Sequence, residues 1–408
     1  MGRWRQLAAL LAANGASWTG SRISGIAVPW FVLTTTGSAV RTGVVVAAQM
    51  GPYVISQALS GPFIDRVGPR RVVMIADLVV ATGVALIPLL HGLDVLTFPL
   101  LLVLLAFIGA ADGPSNSAKG IFMPEVAANS RVPLERVTGL VGTVERTATV
   151  VGPAIAGVVV AAWGAATSLW ITAGLELLGG LLVAVFLPRK ERRRAEKGSY
   201  RRELREGAAF LKRDRLLMSM YGMITVTNLI DTAMFSVLIP VWAQETGHGP
   251  TAIGLLASSL SGAAIVSSLL ASAYGDRIPR RPAYVLGFVL GGVPRFIILA
   301  TAVPLGWIVA VHAFTGFAIG FLNPIIAAIL FERVPEHLLG RVRTLGGSLA
   351  WAGIPFGGVI AGAAITAIGL SPAFLVFGLV HLLAVLVPSF RPEWSEMDRQ
   401  AAAVDDAA

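Results

Sequence analysis

Gly61-Pro-Phe-Ile-Asp65-Arg66-Val-Gly68-Pro-Arg70-Arg71 lies between two long apolar runs. An acid followed by a basic cluster, pinned by Gly and Pro, suits a tight loop at a membrane surface. Asp65 can cap a helix start or pair with an Arg on a neighbouring helix. The Arg cluster holds such a loop on the cytoplasmic side. About 210 residues later the pattern returns as Ser272-Ala-Tyr-Gly-Asp276-Arg277-Ile-Pro-Arg280-Arg281, again between apolar runs. One copy reads equally well as an ordinary positive-inside loop. Two copies in matching places imply a duplicated membrane protein.

Composition agrees. Of the 408 residues 55% are hydrophobic and only 13% charged, with mean hydropathy +0.75. That is too apolar for a soluble protein of this size and fits a polytopic membrane protein. The absence of cysteine excludes a disulfide framework, thiol chemistry and a Cys-based metal site. The chain has no Walker A sequence, HExxH or nucleophile elbow, so ATP hydrolysis and the common hydrolytic chemistries are not expected. The net charge of +9 does not point to nucleic acid, because the basic residues sit in short loops between apolar runs, where topology and anionic headgroups account for them.

The first apolar run begins directly after Arg3 and Arg5 and continues to about Leu33, too long for a secretory h-region. Further runs fall at about 42–63, 72–91, 95–117, 138–162 and 166–187, then 216–243, 251–273, 283–302, 304–330, 342–368 and 372–389. Each is long enough for a hydrocarbon core of ~30 Å. With both termini in the cytoplasm, 28 of the 32 Lys and Arg fall on the cytoplasmic side. Only Arg41 lies opposite, and Arg22, Arg146 and Arg295 fall inside spans. The expected organisation is an all-α integral membrane protein of twelve spans, with six-helix bundles at 1–188 and 216–390. A cytoplasmic linker at 189–215 contains an amphipathic helix with Leu204, Ala208 and Leu211 on one face. It carries enough basic residues to meet anionic lipids. The tail, 391–408, is expected to be cytoplasmic and disordered from Glu393 onward.

The halves match elsewhere. Phe107-Ile-Gly-Ala-Ala-Asp112-Gly-Pro114 parallels Phe317-Ala-Ile-Gly-Phe-Leu-Asn323-Pro324, and Gly152-Pro-Ala-Ile155-Ala156-Gly157 parallels Gly357-Gly-Val-Ile360-Ala361-Gly362. Charges inside spans are costly and mark pathways or proton relays. Arg22 lies in the first span, Asp112 in the fourth and Asp231 in the seventh. Glu145 and Arg146 lie near the cytoplasmic end of the fifth span, and Glu176 lies in the sixth. Asp77, one turn into the third span, is expected to pair with loop arginines. His312 is expected to be a hydrogen-bonded structural residue rather than a proton carrier.

Gly61, Asp65, Arg66, Gly68 and Arg70 fit the pattern G-x-x-x-D-R-x-G-x-R, so the chain resembles the major facilitator superfamily of secondary transporters. Pro69 stands where that family usually has a basic residue, and Arg71 can supply the charge. Ser272 and Pro279 replace the glycines of the second copy. The resemblance implies two bundles related by a pseudo-two-fold axis and a signature loop that gates conformational change. It also implies a central cavity lined by helices 1, 4, 7 and 10, on which Arg22, Asp112, Asp231 and Asn323 fall. On that reading Asp231 is the expected proton carrier, with Arg22 as its partner or as an anion contact; a fixed structural ion pair is the alternative. Glu145 and Arg146 are expected to latch the gating loops, formed by Asp65, Arg66, Arg70 and Arg71 in one half and Asp276, Arg277, Arg280 and Arg281 in the other.

Gly152, Pro153 and Gly157 resemble the helix 5 signature of the family's drug:proton antiporters, with Ala156-Gly157 in place of its final glycine pair. Ile26-Ala-Val-Pro-Trp30-Phe-Val-Leu resembles the first helix of a subgroup that contains macrolide and siderophore exporters. That subgroup often carries an acid in helix 1, where this chain has Arg22. Trp30, Phe31, Tyr53, Phe235 and Phe321 are candidates for an apolar pocket. The function this implies is proton-coupled export of small amphipathic molecules, driven by the proton gradient without a cofactor, by a multi-pass monomer in the cell (inner) membrane. Uptake of a metabolite, lysolipid transport and a non-transporting receptor or scaffold are the other readings.

Overall fold

The computed structural model describes residues 4–188, 200–274 and 279–397, and within them every regular element is helical. The first six long apolar stretches become α1 (Arg5–Thr36), α2 (Ala39–Val67), α3 (Pro69–Gly92), α4 (Phe98–Gly120) with a short α5 (Met123–Ser130), α6 (Leu134–Trp163) and α7 (Ala165–Phe186). A linker helix α8 (Tyr200–Arg213) follows. The later stretches are α9 (Arg215–Ala233), α10 (Ile239–Glu245), α11 (Gly249–Tyr274), α12 (Arg280–Leu299), α13 (Leu305–Ile319), α14 (Leu322–Arg333), α15 (Glu336–Trp351), α16 (Ile354–Ile368) and α17 (Leu370–Ser389). Ten segments among the described residues are long and apolar enough to cross a membrane. The first two helices, α1 and α2, are 32 and 29 residues long and make twelve spans. Polar residues such as Asn14, Arg22, Gln49 and Gln57 dilute their hydropathy, and Asn14, Ser17 and Ser24 of α1 are buried rather than turned to lipid.

The opening motif is less of a loop than its composition suggests. Helix α2 continues through Asp65 and Arg66 to Val67, and α3 starts at Pro69. The turn is the single residue Gly68, at φ 93°, a conformation that a side chain disfavours. Pro69 then occupies the first helical position, where its missing N–H has no consequence.

Several spans in the later half are interrupted. The seventh passes from α9 through a π-helical stretch, Met234–Leu238, into α10. The tenth breaks between Ile319 and Leu322 and the eleventh between Trp351 and Ile354. Interruptions at membrane depth persist only where protein or a polar cavity satisfies the backbone. In contrast α1, α2, α3, α6 and α7 run unbroken.

The chain forms two compact units. One comprises the sequence up to the linker together with Phe235–Ser258 and Gly358–Gly362, and the other holds the remainder. The first has a core of Leu10, Ile64, Val73, Phe122, Val141 and Val183. The second has a core of Leu211, Leu216, Tyr284, Leu330, Val342 and Trp394. Two sequence expectations change here. Helix α8 does not rest on lipid alone. Leu211 is buried, Glu206 pairs with Arg341 at 2.9 Å, and Gly207 lies against Arg341 and Leu345 of α15. The tail is not disordered from Glu393. Trp394 is fully buried, its ring lies 5.6 Å from that of Tyr284, and its indole N–H donates to Ser219 Oγ at 3.0 Å. One large aromatic with a satisfied polar tip is enough to dock the chain end. Residues 398–408, 189–199, Asp276 and Arg277 lie outside the described residues.

Candidate functional site

Each unit contains a buried polar cluster, and the two clusters use corresponding helices. In the first unit, Lys119 of α4 is not the loop cation its position implies; only 2% of it is exposed. Its Nζ lies 3.0 Å from Asp77 Oδ2 of α3 and donates to Ser17 Oγ of α1 at 2.6 Å. Ser17 in turn donates to Glu176 Oε2 of α7 at 3.0 Å, and Ser115 donates to Asp77 Oδ1. Asp77 therefore pairs with a membrane lysine, not with loop arginines. Glu176 thus accepts an interhelix hydrogen bond from Ser17. Small residues let the helices close on this network: a Cβ on Gly179 would stand 3.0 Å from Ser17 Oγ, and one on Gly180 would stand 3.0 Å from Asp77 Cβ.

In the second unit the ion pair joins Asp231 of α9 to Arg295 of α12. Arg295 is buried, whereas 39% of the Asp231 side chain is accessible. The π-helical stretch begins three residues after Asp231. Arg295 also lies over the Phe296 ring, 5.5 Å from its centroid. Two buried histidines complete the cluster. The Nδ1 of His312 on α13 donates to Ile308 O at 2.8 Å. The Nε2 of His381 on α17 donates to Phe288 O at 3.0 Å, in space left by Gly292. The partner of Asp231 is thus Arg295, to which the sequence assigned none, and not Arg22.

Arg22 belongs to a different arrangement. It donates to Thr149 Oγ1 of α6 at 3.0 Å, and Glu145 is its electrostatic neighbour. A Cβ on Gly152 would stand 2.8 Å from Arg22 Cγ, so the Gly152-Pro153 motif is where α6 makes room for this arginine. At Gly157 the neighbour is α11: a Cβ would meet Pro250 O at 2.8 Å and Thr251 Cα at 3.1 Å. Backbone cannot yield as a side-chain tip can. Gly157→Ala is therefore expected to cost about 1–3 kcal/mol through overpacking, seen as a lower thermal unfolding temperature in detergent. Gly174→Ala is the control, since a Cβ there meets nothing within 4 Å.

Other expected site residues separate. Asp112 and Asn116 of α4 lie together, with Asn116 Nδ2 3.5 Å from Asp112 Oδ1. Tyr53 of α2 accepts from Gln57 Nε2 at 3.2 Å and lies in the field of Asp112. These residues form a partly exposed polar face shared by α2 and α4. Phe31 is buried, edge-on to His91 at 4.9 Å, so it packs the core rather than lining a pocket. Trp30, Phe235 and Phe321 are partly exposed and Asn323 is exposed; Phe321 stands edge-on to Phe317 at 5.7 Å.

Glu145 and Arg146 are exposed, and among the described residues neither pairs with the signature arginines or with Asp65. Asp65 caps no helix, because it sits in the last turn of α2. The arginines of the two loop copies act alike. Arg70 donates to Ala184 O at the end of α7, and Arg281 donates to Ser389 O at the end of α17 at 3.0 Å. Each satisfies a terminal carbonyl of the sixth helix of its half and meets the negative end of that helix's dipole. Arg70→Ala and Arg281→Ala should each cost about 1–2 kcal/mol, measured as a loss of thermal stability. Arg280 instead binds Glu332 through both carboxylate oxygens at 2.6 and 2.8 Å.

A helical membrane protein with two duplicated bundles, buried ion pairs and broken later spans has the architecture of a secondary transporter. The profile of the Major Facilitator Superfamily matches residues 10–230 and 221–403. The chain belongs to that superfamily. It is 32% identical over 397 residues to the "Multidrug efflux pump Tap" of Mycobacterium tuberculosis, covering 95% of this chain and 94% of that protein. It is 22% identical to "Macrolide efflux protein A" of Streptococcus pyogenes, over 92% and 94% of the two chains. Among solved structures, the nucleoside transporter NupG superposes with a TM-score of 0.80 at 12% identity, covering 95% of this chain and all of the other. That likeness shows the fold alone.

Proposed function

We propose that this protein exports small amphipathic molecules, drugs or secondary metabolites, in exchange for protons by alternating access. The names of its relatives support export over uptake, lysolipid transport or a receptor role. The observation that carries the coupling step is the Asp231–Arg295 pair. A partly accessible carboxylate, held by a buried guanidinium beside a π-helical stretch, can take up a proton when access changes and release its hold on Arg295. The protein's energy source is then the proton gradient, with no cofactor, and its termini face the cytoplasm.

The test is accumulation of a panel of fluorescent amphipathic cations and macrolides in cells expressing the chain, with and without a protonophore. Lower accumulation than in control cells, abolished by the protonophore, is the expected result. Unchanged accumulation across the panel would remove the export reading.

A further inference from the structure

We propose that the second unit carries a binding groove for an anionic phospholipid, formed where α8 and α9 meet the end of α17. A groove of about 840 Å³ opens there. Its rim holds three cations, Lys212 at the end of α8, Arg215 at the start of α9 and Arg391 just past α17. Among the described residues its only acid is Glu393, 4.0 Å from Arg391, which leaves that rim net positive. Lys212 and Arg215 are exposed and make no hydrogen bond or ion pair with a described residue.

The groove below the rim is apolar and ordered by depth. Along α9, Arg215, Met218, Gly222 and Val226 recur at helical spacing on one face. Along α17, Leu383 and Val387 precede Arg391 at intervals of four. Both membrane-spanning segments end at this level, one starting at Arg215 and the other ending at Ser389. Cations therefore stand at the boundary, and Met218, Val226, Leu383 and Val387, all exposed large apolar side chains, line the way inward. A phosphate on the rim with an acyl chain along the apolar wall satisfies both halves. A soluble anion would use only the rim, and a neutral lipid only the wall.

Purified full-length protein, delipidated in detergent, is titrated with phosphatidylglycerol or phosphatidylcholine. Binding is counted by native mass spectrometry and checked by the shift in unfolding temperature. Wild type should prefer phosphatidylglycerol by at least about tenfold, and Lys212→Gln/Arg215→Gln/Arg391→Gln should lose that preference. Val387→Trp keeps every charge but fills the groove, and should weaken phosphatidylglycerol binding comparably. All three proteins should unfold at the same temperature in phosphatidylcholine, since the substituted residues are on the surface. Equal binding of the two lipids by wild type, or undiminished preference in the triple variant, would overturn the proposal. So would competition by millimolar inorganic phosphate with Val387→Trp neutral, which would make the rim a soluble-anion site.

Discussion

Asp231→Asn is expected to abolish protonophore-sensitive efflux while leaving the protein folded and able to bind substrate. The amide oxygen can still accept from Arg295, so the buried guanidinium keeps a hydrogen-bond acceptor but loses its counter-ion, and part of the stability is lost. On the proposed coupling, the group that exchanges a proton is gone, and with it the link between gradient and transport. Asp231→Leu is a different experiment. It removes the carboxylate that pairs with Arg295, of which 1% is exposed, and breaking a largely buried pair this way costs up to about 3–5 kcal/mol. The comparison that separates a coupling site from a fixed structural pair is the double neutral variant Asp231→Asn/Arg295→Gln. If the pair only holds α9 to α12, two neutral hydrogen-bonding groups should restore both stability and efflux. If Asp231 carries the proton, stability returns and gradient-driven efflux does not. Efflux assays with and without protonophore, alongside thermal unfolding of the same three variants, distinguish these outcomes.

The spans and the duplication were legible because apolar length and loop charge are local in sequence. Arg70 and Arg281 illustrate the limit of that reading. Their repetition was visible, but their partners, the carbonyls of Ala184 and Ser389, lie 114 and 108 positions away. Asp231 was found because a mid-span carboxylate is costly wherever it points. Its partner was not, because the choice between Arg22 and Arg295 depends on which faces of α9 and α12 meet. Lys119 was hidden for another reason. It stands at the end of an apolar run, where a lysine ordinarily snorkels to the interface, and a charge count assigns it to the loop. The missed signal was Asp77: a second buried charge within the same bundle requires a counter-ion on a neighbouring helix.

Lys119→Met should therefore destabilise the first unit more than any substitution of a loop cation. It removes the one cation, among the described residues, bonded in a network that holds Asp77 and Glu176, each about 2% exposed or less. A loss of about 3–5 kcal/mol follows from leaving carboxylates uncompensated in the interior, with lower yield and a lower unfolding temperature as readouts. Adding Asp77→Asn should recover much of the loss, because Ser115 can still donate to the amide oxygen and the ionised partner is gone. Glu176→Gln alone should be far milder. Ser17 accepts from Lys119 and has one proton, which it gives to Glu176, and a glutamine oxygen can accept it equally well. Ser17→Ala cuts both bonds at once and should fall between these cases, at about 1–3 kcal/mol. An additive, position-independent loss across Lys119, Asp77, Ser17 and Glu176 would contradict a shared network. Strong coupling between Lys119→Met and Asp77→Asn in a double-mutant cycle is what a shared buried charge requires.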